Sequence, residues 1–268
     1  DHWADLKKKG WTLTTDAAGG GHAHCGMMID GADNWPEEYR GRVFTLNLHG
    51  RRINQDTLYR QGAGYAASHA DDFMLTRDLW FRGIDLTYGP DGGVFVLDWS
   101  DIGECHDSDG IHRTSGRIFK ITHGKTKALK KDLSKLSSLD LSRLQTHANE
   151  WHVRMARRLL QERAIAGDDL GQVREHLFEL YSESVSIPHR LRAMWALHIT
   201  GGLDEDWLLE QSNDESEHIR VWAIKLLTDG GQVSVEVLSR FAEMAGSDMA
   251  GLVTLNLAST LRLLPLAK

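Results

Sequence analysis

Between residues 82 and 122 apolar and polar positions alternate at the spacing of short strands. Residues 82–88 read as one strand and 94–99 as the next, with Gly89-Pro90-Asp91-Gly92-Gly93 between them. Pro presets one turn angle and Gly supplies a positive φ, so this stretch predicts a β-hairpin. After a polar excursion, residues 116–121 (GRIFKI) resume strand spacing. The same pattern occurs upstream. Residues 41–48 (GRVFTLNL) align with 92–99 (GGVFVLDW) at an offset of 51, and 50–54 align with 116–120 at an offset of 66. A repeat of about 50 residues built from short strands predicts propeller blades, about two of them here. Strands are also expected at 42–48 and 51–58, with an edge strand within 72–75.

The period changes near His123. Residues 125–144 are rich in Lys, Leu and Ser and read as a connector containing a helix. From about residue 146 apolar positions recur three and four apart, in 149–160, 190–197, 218–227 and 249–264. Amphipathic helices at 170–181 and 204–210 precede two of these segments, so the pattern predicts paired helices of a HEAT-type solenoid. The expected fold class is therefore β and α in separate domains, a partial β-propeller followed by an α-helical HEAT-like solenoid. The expected boundaries are 1–125 for the blades, 126–145 for a linker and 146–268 for the helical repeats.

Composition narrows this picture in three ways. A net charge of −7 over 268 residues argues against nucleic acid as a partner. No apolar run has membrane-spanning length. The chain begins at Asp1 without a signal segment, and together with the blade count this leads us to expect a processed or excised piece of a longer protein.

Several residues carry candidate chemistry. On a regular strand, alternation places His22, His24 and Gly26 on one face and Ala23, Cys25 and Met27 on the other. Two imidazoles at i, i+2 suit a metal ion or a cofactor; the other reading is a packed, hydrogen-bonded pair. Asp98, Asp101, Glu104, Asp107 and Asp109 put five carboxylates in twelve residues. Such crowding asks for a cation such as calcium, or for ion pairs with Arg113 and Arg117. Asp107-Ser108-Asp109-Gly110 matches part of a calcium loop, but the spacing of an EF-hand is not completed. Cys25 and Cys105 form one disulfide if the compartment is oxidising, and are free buried thiols otherwise. The charges of the helical half read as solvated faces, and Trp151, Trp195 and Trp222 as core.

The runs HAHCGMMI, DNWPEEYRGRVFTLNLHGRRIN, WFRGIDLTYGPDGGVFVLDWSD and ECHDSDGIHRTSGRIFKITHG resemble one group closely. They are similar to the membrane-bound dehydrogenases also called PVC-type haem-binding proteins. That group carries a propeller similar to glucose/sorbosone dehydrogenases, then HEAT-like repeats, then a cytochrome c domain. The resemblance covers residues 19–125 and is specific there; over 146–268 it is generic. It implies the C-terminal blades of such a propeller, pyrroloquinoline quinone (PQQ) and calcium as cofactors, and an exported, periplasmic or envelope location. A tricarboxylate cofactor suits guanidinium groups. The resemblance makes Arg82 the preferred cofactor contact, with an inter-blade ion pair as the alternative, and Arg51 and Arg52 weaker candidates. Haem attachment needs Cys-x-x-Cys-His, and His24-Cys25-Gly26 and Glu104-Cys105-His106 both lack the second Cys, so no covalent haem is expected here.

Two functions follow. One is a fragment of a quinoprotein-type dehydrogenase that oxidises a sugar or related alcohol and passes electrons to a cytochrome c domain absent from this chain, the fragment alone being inactive. The other is a non-catalytic binding module for protein or glycan partners, with a protein partner on the solenoid.

Overall fold

The computed structural model describes residues 19–20, 23–102, 112–126 and 132–264. The chain divides into two compact units. One comprises residues 1–59, 66–130 and 148–151, the other residues 60–65, 131–147 and 152–268.

Two antiparallel sheets account for most of the first unit, residues 60–65 of the larger one being counted with the second. Strands β1 (His24–Ile29), β2 (Val43–Asn47), β3 (Arg52–Gln61) and β4 (Gly64–His69) run in that order, and β5 (Met74–Leu75) pairs with β3. The second sheet is β6 (Gly83–Tyr88), β7 (Val94–Asp98) and β8 (Arg117–Ile121), also in sequence order. The β6–β7 turn forms where Gly-Pro-Asp-Gly predicts it. Gly92 takes φ 75° and donates its N–H to Gly89 O at 3.0 Å. A Cβ there would lie 2.7 Å from the backbone N of Asn34, so only glycine fits.

Alternation sends Val94 and Val96 inward from β7, and Phe44 and Leu46 inward from β2. These join Ile53, Phe81 and Leu86 in one core shared by both sheets. Each such side chain contributes about 1.5–3 kcal/mol by leaving water. Trp35 stacks on Phe73 with centroids 4.4 Å apart and meets Phe44 edge-on at 5.2 Å.

The second unit is helical. The helices are α1 (Ser138–Arg143), α2 (Glu150–Ala166), α3 (Gly171–Glu183), α4 (Ile187–Ile199), α5 (Glu205–Gln211), α6 (Glu217–Asp229), α7 (Val235–Ser247) and α8 (Gly251–Thr260). Short polar residues start four of them. Ser137, Ser186, Asp204 and Ser234 each accept the N–H three residues on, which satisfies a donor the helix itself leaves open. Ala193, Met194, Ile219, Ile224, Val237 and Met244 form the buried centre. No helix among the described residues is long and apolar enough to cross a membrane.

The expected partial propeller followed by a solenoid is corrected here. The chain forms two small open sheets, of five and three strands, followed by eight helices among the described residues. Neither sheet closes. The repeat at an offset of 51 marks β2 and β7, the middle strands of two three-strand meanders, but those meanders bury one common core between them. The helices range from 6 to 17 residues.

Candidate functional site

Asp98 ends β7 directly opposite Arg117 on β8. One of its carboxylate oxygens accepts the N–H groups of Arg82 (2.7 Å) and Ser100 (2.9 Å). The other takes Arg117 Nε at 2.7 Å. Arg117 also reaches Asp78 at 2.7 Å, and Asp78 accepts Trp80 N–H at 2.9 Å. That N–H, reinforced by Arg117, holds the Asp78 carboxyl below its ordinary range despite some burial. Burial alone would lower the Arg117 pKa, but Asp78 and Asp98 raise it. Asp101, also buried, accepts His112 N–H at 3.3 Å and lies 3.2 Å from its Nδ1.

Arg82 is 6% exposed. Its guanidinium donates to the carbonyls of Leu79 (3.0 Å), Phe81 (2.9 Å) and Ile102 (3.1 Å). It binds the backbone around the start of β6.

A second polar node lies in the five-stranded sheet. Asn47 and Asn54 both donate to Gly19 O, at 2.7 and 3.0 Å. Asn54 and Arg52 share the Asp72 carboxylate at 2.6 and 2.5 Å. His69 spans Asp56 (3.4 Å) and Asp72 (3.5 Å). His24 is exposed, with Nε2 3.4 Å from the Asn47 amide. Asn54 Oδ1 is buried with no hydrogen-bond partner among the described residues. Sequence reasoning missed both asparagines. Asn is depleted in strands, so two on facing strands were the available signal.

The remaining candidates separate. Arg51 sits in the β2–β3 turn at φ 51°, while the weaker candidate Arg52 enters the polar node. The Cys25 thiol donates to Gly83 O at 3.4 Å, and the expected partner of its disulfide, Cys105, lies outside the described residues. Burial first, then Asp85, pushes the Cys25 pKa up. His22, Glu104, Cys105, Asp107 and Asp109 lie outside the described residues. Among the described residues no three His, Cys, Asp or Glu side chains are grouped to hold a metal ion.

Residues 4–125 match the family model described as a domain of unknown function, DUF7133. No curated protein matches the chain. No solved structure matches it.

Proposed function

We propose that this chain is a non-catalytic binding part of an oxidoreductase similar to the quinoprotein sugar dehydrogenases, in an exported protein that passes electrons to a cytochrome c domain. The close resemblance over residues 19–125 supports the oxidoreductase setting. One observation supports the non-catalytic role of the chain itself: the guanidinium of Arg82 is buried and donates to three main-chain carbonyls. A PQQ carboxylate would need two parallel donors facing it, and Arg82 as placed does not fit that task. Asp98 likewise has both oxygens engaged by N–H groups and Arg117, which suits a fold-stabilising carboxylate better than a calcium ligand. The oxidation is therefore assigned to groups other than these side chains, with substrate a sugar or related alcohol.

The test has two arms. The 268-residue chain, given PQQ, calcium and a panel of sugars, should reduce no dye; sustained turnover would overturn the non-catalytic role. The longer gene product containing it should reduce dye under the same conditions, and Arg82→Lys should leave its quinone affinity unchanged. Absence of any reduction there removes the oxidoreductase setting.

A further inference from the structure

Strand β8 is the outer strand of the smaller sheet and pairs with β7 alone among the described residues. Beyond it the chain is taken up again: Ile121 O accepts the Trp35 indole N–H at 3.4 Å, and Asn34 holds the main chain of His123. The open edge is therefore residues 117–120. It is apolar on one face. Ile118, 71% exposed, stands directly opposite the exposed Leu97 of β7, and Trp99, 59% exposed, follows two positions after Leu97. Proteins ordinarily guard such an edge with cations that reach past it into water. Here both edge cations are drawn back into the sheet, Arg117 to Asp98 and Asp78, and Lys120 to Asp91. Two further cations, Arg113 before the strand and Lys125 after it, are exposed. Residues 112–125 hold four Lys or Arg and no carboxylate, on a chain whose net charge is −7.

We infer that the β8 edge accepts a strand from a partner protein. That strand carries apolar side chains at alternate positions, over Ile118, Leu97 and Trp99, and carboxylates at its two ends, toward Arg113 and Lys125. The inference rests on the binding-part reading and names the partner's chemistry. Main-chain bonds to an open edge supply the attachment, and the exposed apolar face and the end charges supply the choice of partner. Arg117 and Lys120 keep their own carboxylates throughout. Charge selects the occupant. A second copy laid antiparallel on β8 would set Arg113 and Lys125 of one chain against Lys125 and Arg113 of the other, and like charges so placed repel. A basic strand meets the same repulsion.

A labelled peptide with alternating Val and Thr between Glu-Glu ends tests this by fluorescence anisotropy on the 268-residue chain, against a counterpart with Lys-Lys ends. The acidic peptide should bind, and more weakly as salt rises. A strand pairs along one edge through alternate residues only. Methylating the amide nitrogens of the odd residues, or of the even ones, should therefore abolish binding in one version and spare it in the other. Ile118 is exposed, so Ile118→Glu should leave the melting curve in place while weakening binding on the order of tenfold. Arg113→Glu and Lys125→Glu should each weaken it and flatten its salt dependence. The inference falls if the acidic peptide does not bind, if the two methylated peptides behave alike, or if the Lys-ended peptide or heparin binds equally well. It falls also if Ile118→Glu changes the affinity less than about twofold, or if the chain forms a dimer that Ile118→Glu dissociates, since a second copy then holds the edge. Dye reduction is read separately. Turnover by the chain would refute the non-catalytic role and leave the peptide result standing, whereas loss of peptide binding alone refutes only the edge site.

Discussion

Asp98 and Arg117 face each other across the β7–β8 ladder, and the same Asp98 carboxylate accepts the backbone N–H of Arg82 at the start of β6. One buried group therefore fastens all three strands of the smaller sheet. Asp98→Ala would leave two N–H groups without their acceptor and the Arg117 guanidinium with Asp78 alone. We expect a loss of about 2–4 kcal/mol, seen as a lower urea midpoint at unchanged slope. A midpoint within error of wild type would show that the carboxylate is dispensable.

Gly26 makes the second prediction. It sits at the bulge between Cys25 and Met27 with φ 57°, and a Cβ there would approach Asp85 Cα to 2.7 Å and Ile84 O to 2.9 Å. Backbone atoms cannot swing aside as a side chain can. Gly26→Ala should cost about 2–3 kcal/mol through strain and separation of β1 from β6. Thermal melting of the variant measures it.

The helical unit should lose stability in acid through Asp248. Burial raises its pKa, but the Arg220 bonds at 2.7 and 3.0 Å and the Ala250 N–H at 2.9 Å outweigh this and hold it below 3.8. A carboxylate depressed on folding contributes stability that is complete above its unfolded pKa and lost as pH falls through the folded one. Asp248→Asn should therefore be less stable than wild type at pH 7 by about 1–2 kcal/mol. The gap should close as pH falls below 3.8. Urea midpoints across this range decide it; a constant gap would mean that charge plays no part.

The Cys25 thiol should react slowly. Burial and Asp85 both disfavour the thiolate, so its pKa lies above 9.0. In a Cys105→Ser background, Ellman's reagent at pH 8 should modify it about tenfold more slowly than the unfolded chain. The rate should climb only as pH passes 9.0. An immediate full reaction at pH 8 would contradict the burial.

Local elements were legible because their signals are local. The 89–93 turn, the strands around Phe44 and Phe95, and the helices near Trp195 and Trp222 follow from turn chemistry and apolar period. Strand β4 was not legible. Its Tyr65, Ser68 and neighbours are half-buried or exposed on both faces, so no alternation marks it. The side of β1 was misread for a different reason: the bulge at Gly26 breaks the alternation, leaving Met27 exposed and Met28 buried. Closure was the larger error. A repeat at an offset of 51 reports that two strand groups are alike, while whether they join a ring or share one core depends on long-range packing. Arg82 shows the same limit for sites, because a strand-end Arg reads identically whether it meets a ligand or the carbonyls of Leu79, Phe81 and Ile102.

In the helical unit Arg190 on α4 reaches Asp214 at 2.5 Å, and Arg220 on α6 reaches Asp248 at 2.7 Å. Each aspartate also accepts a backbone N–H two residues on, from Ser216 and Ala250. The molecule thus uses the same buckle twice, and either half of one would mate with the opposite half of the other. An in-frame excision running from just after Arg190 to just after Arg220 would remove Asp214 and Arg220 together and leave Arg190 and Asp248 as complementary halves.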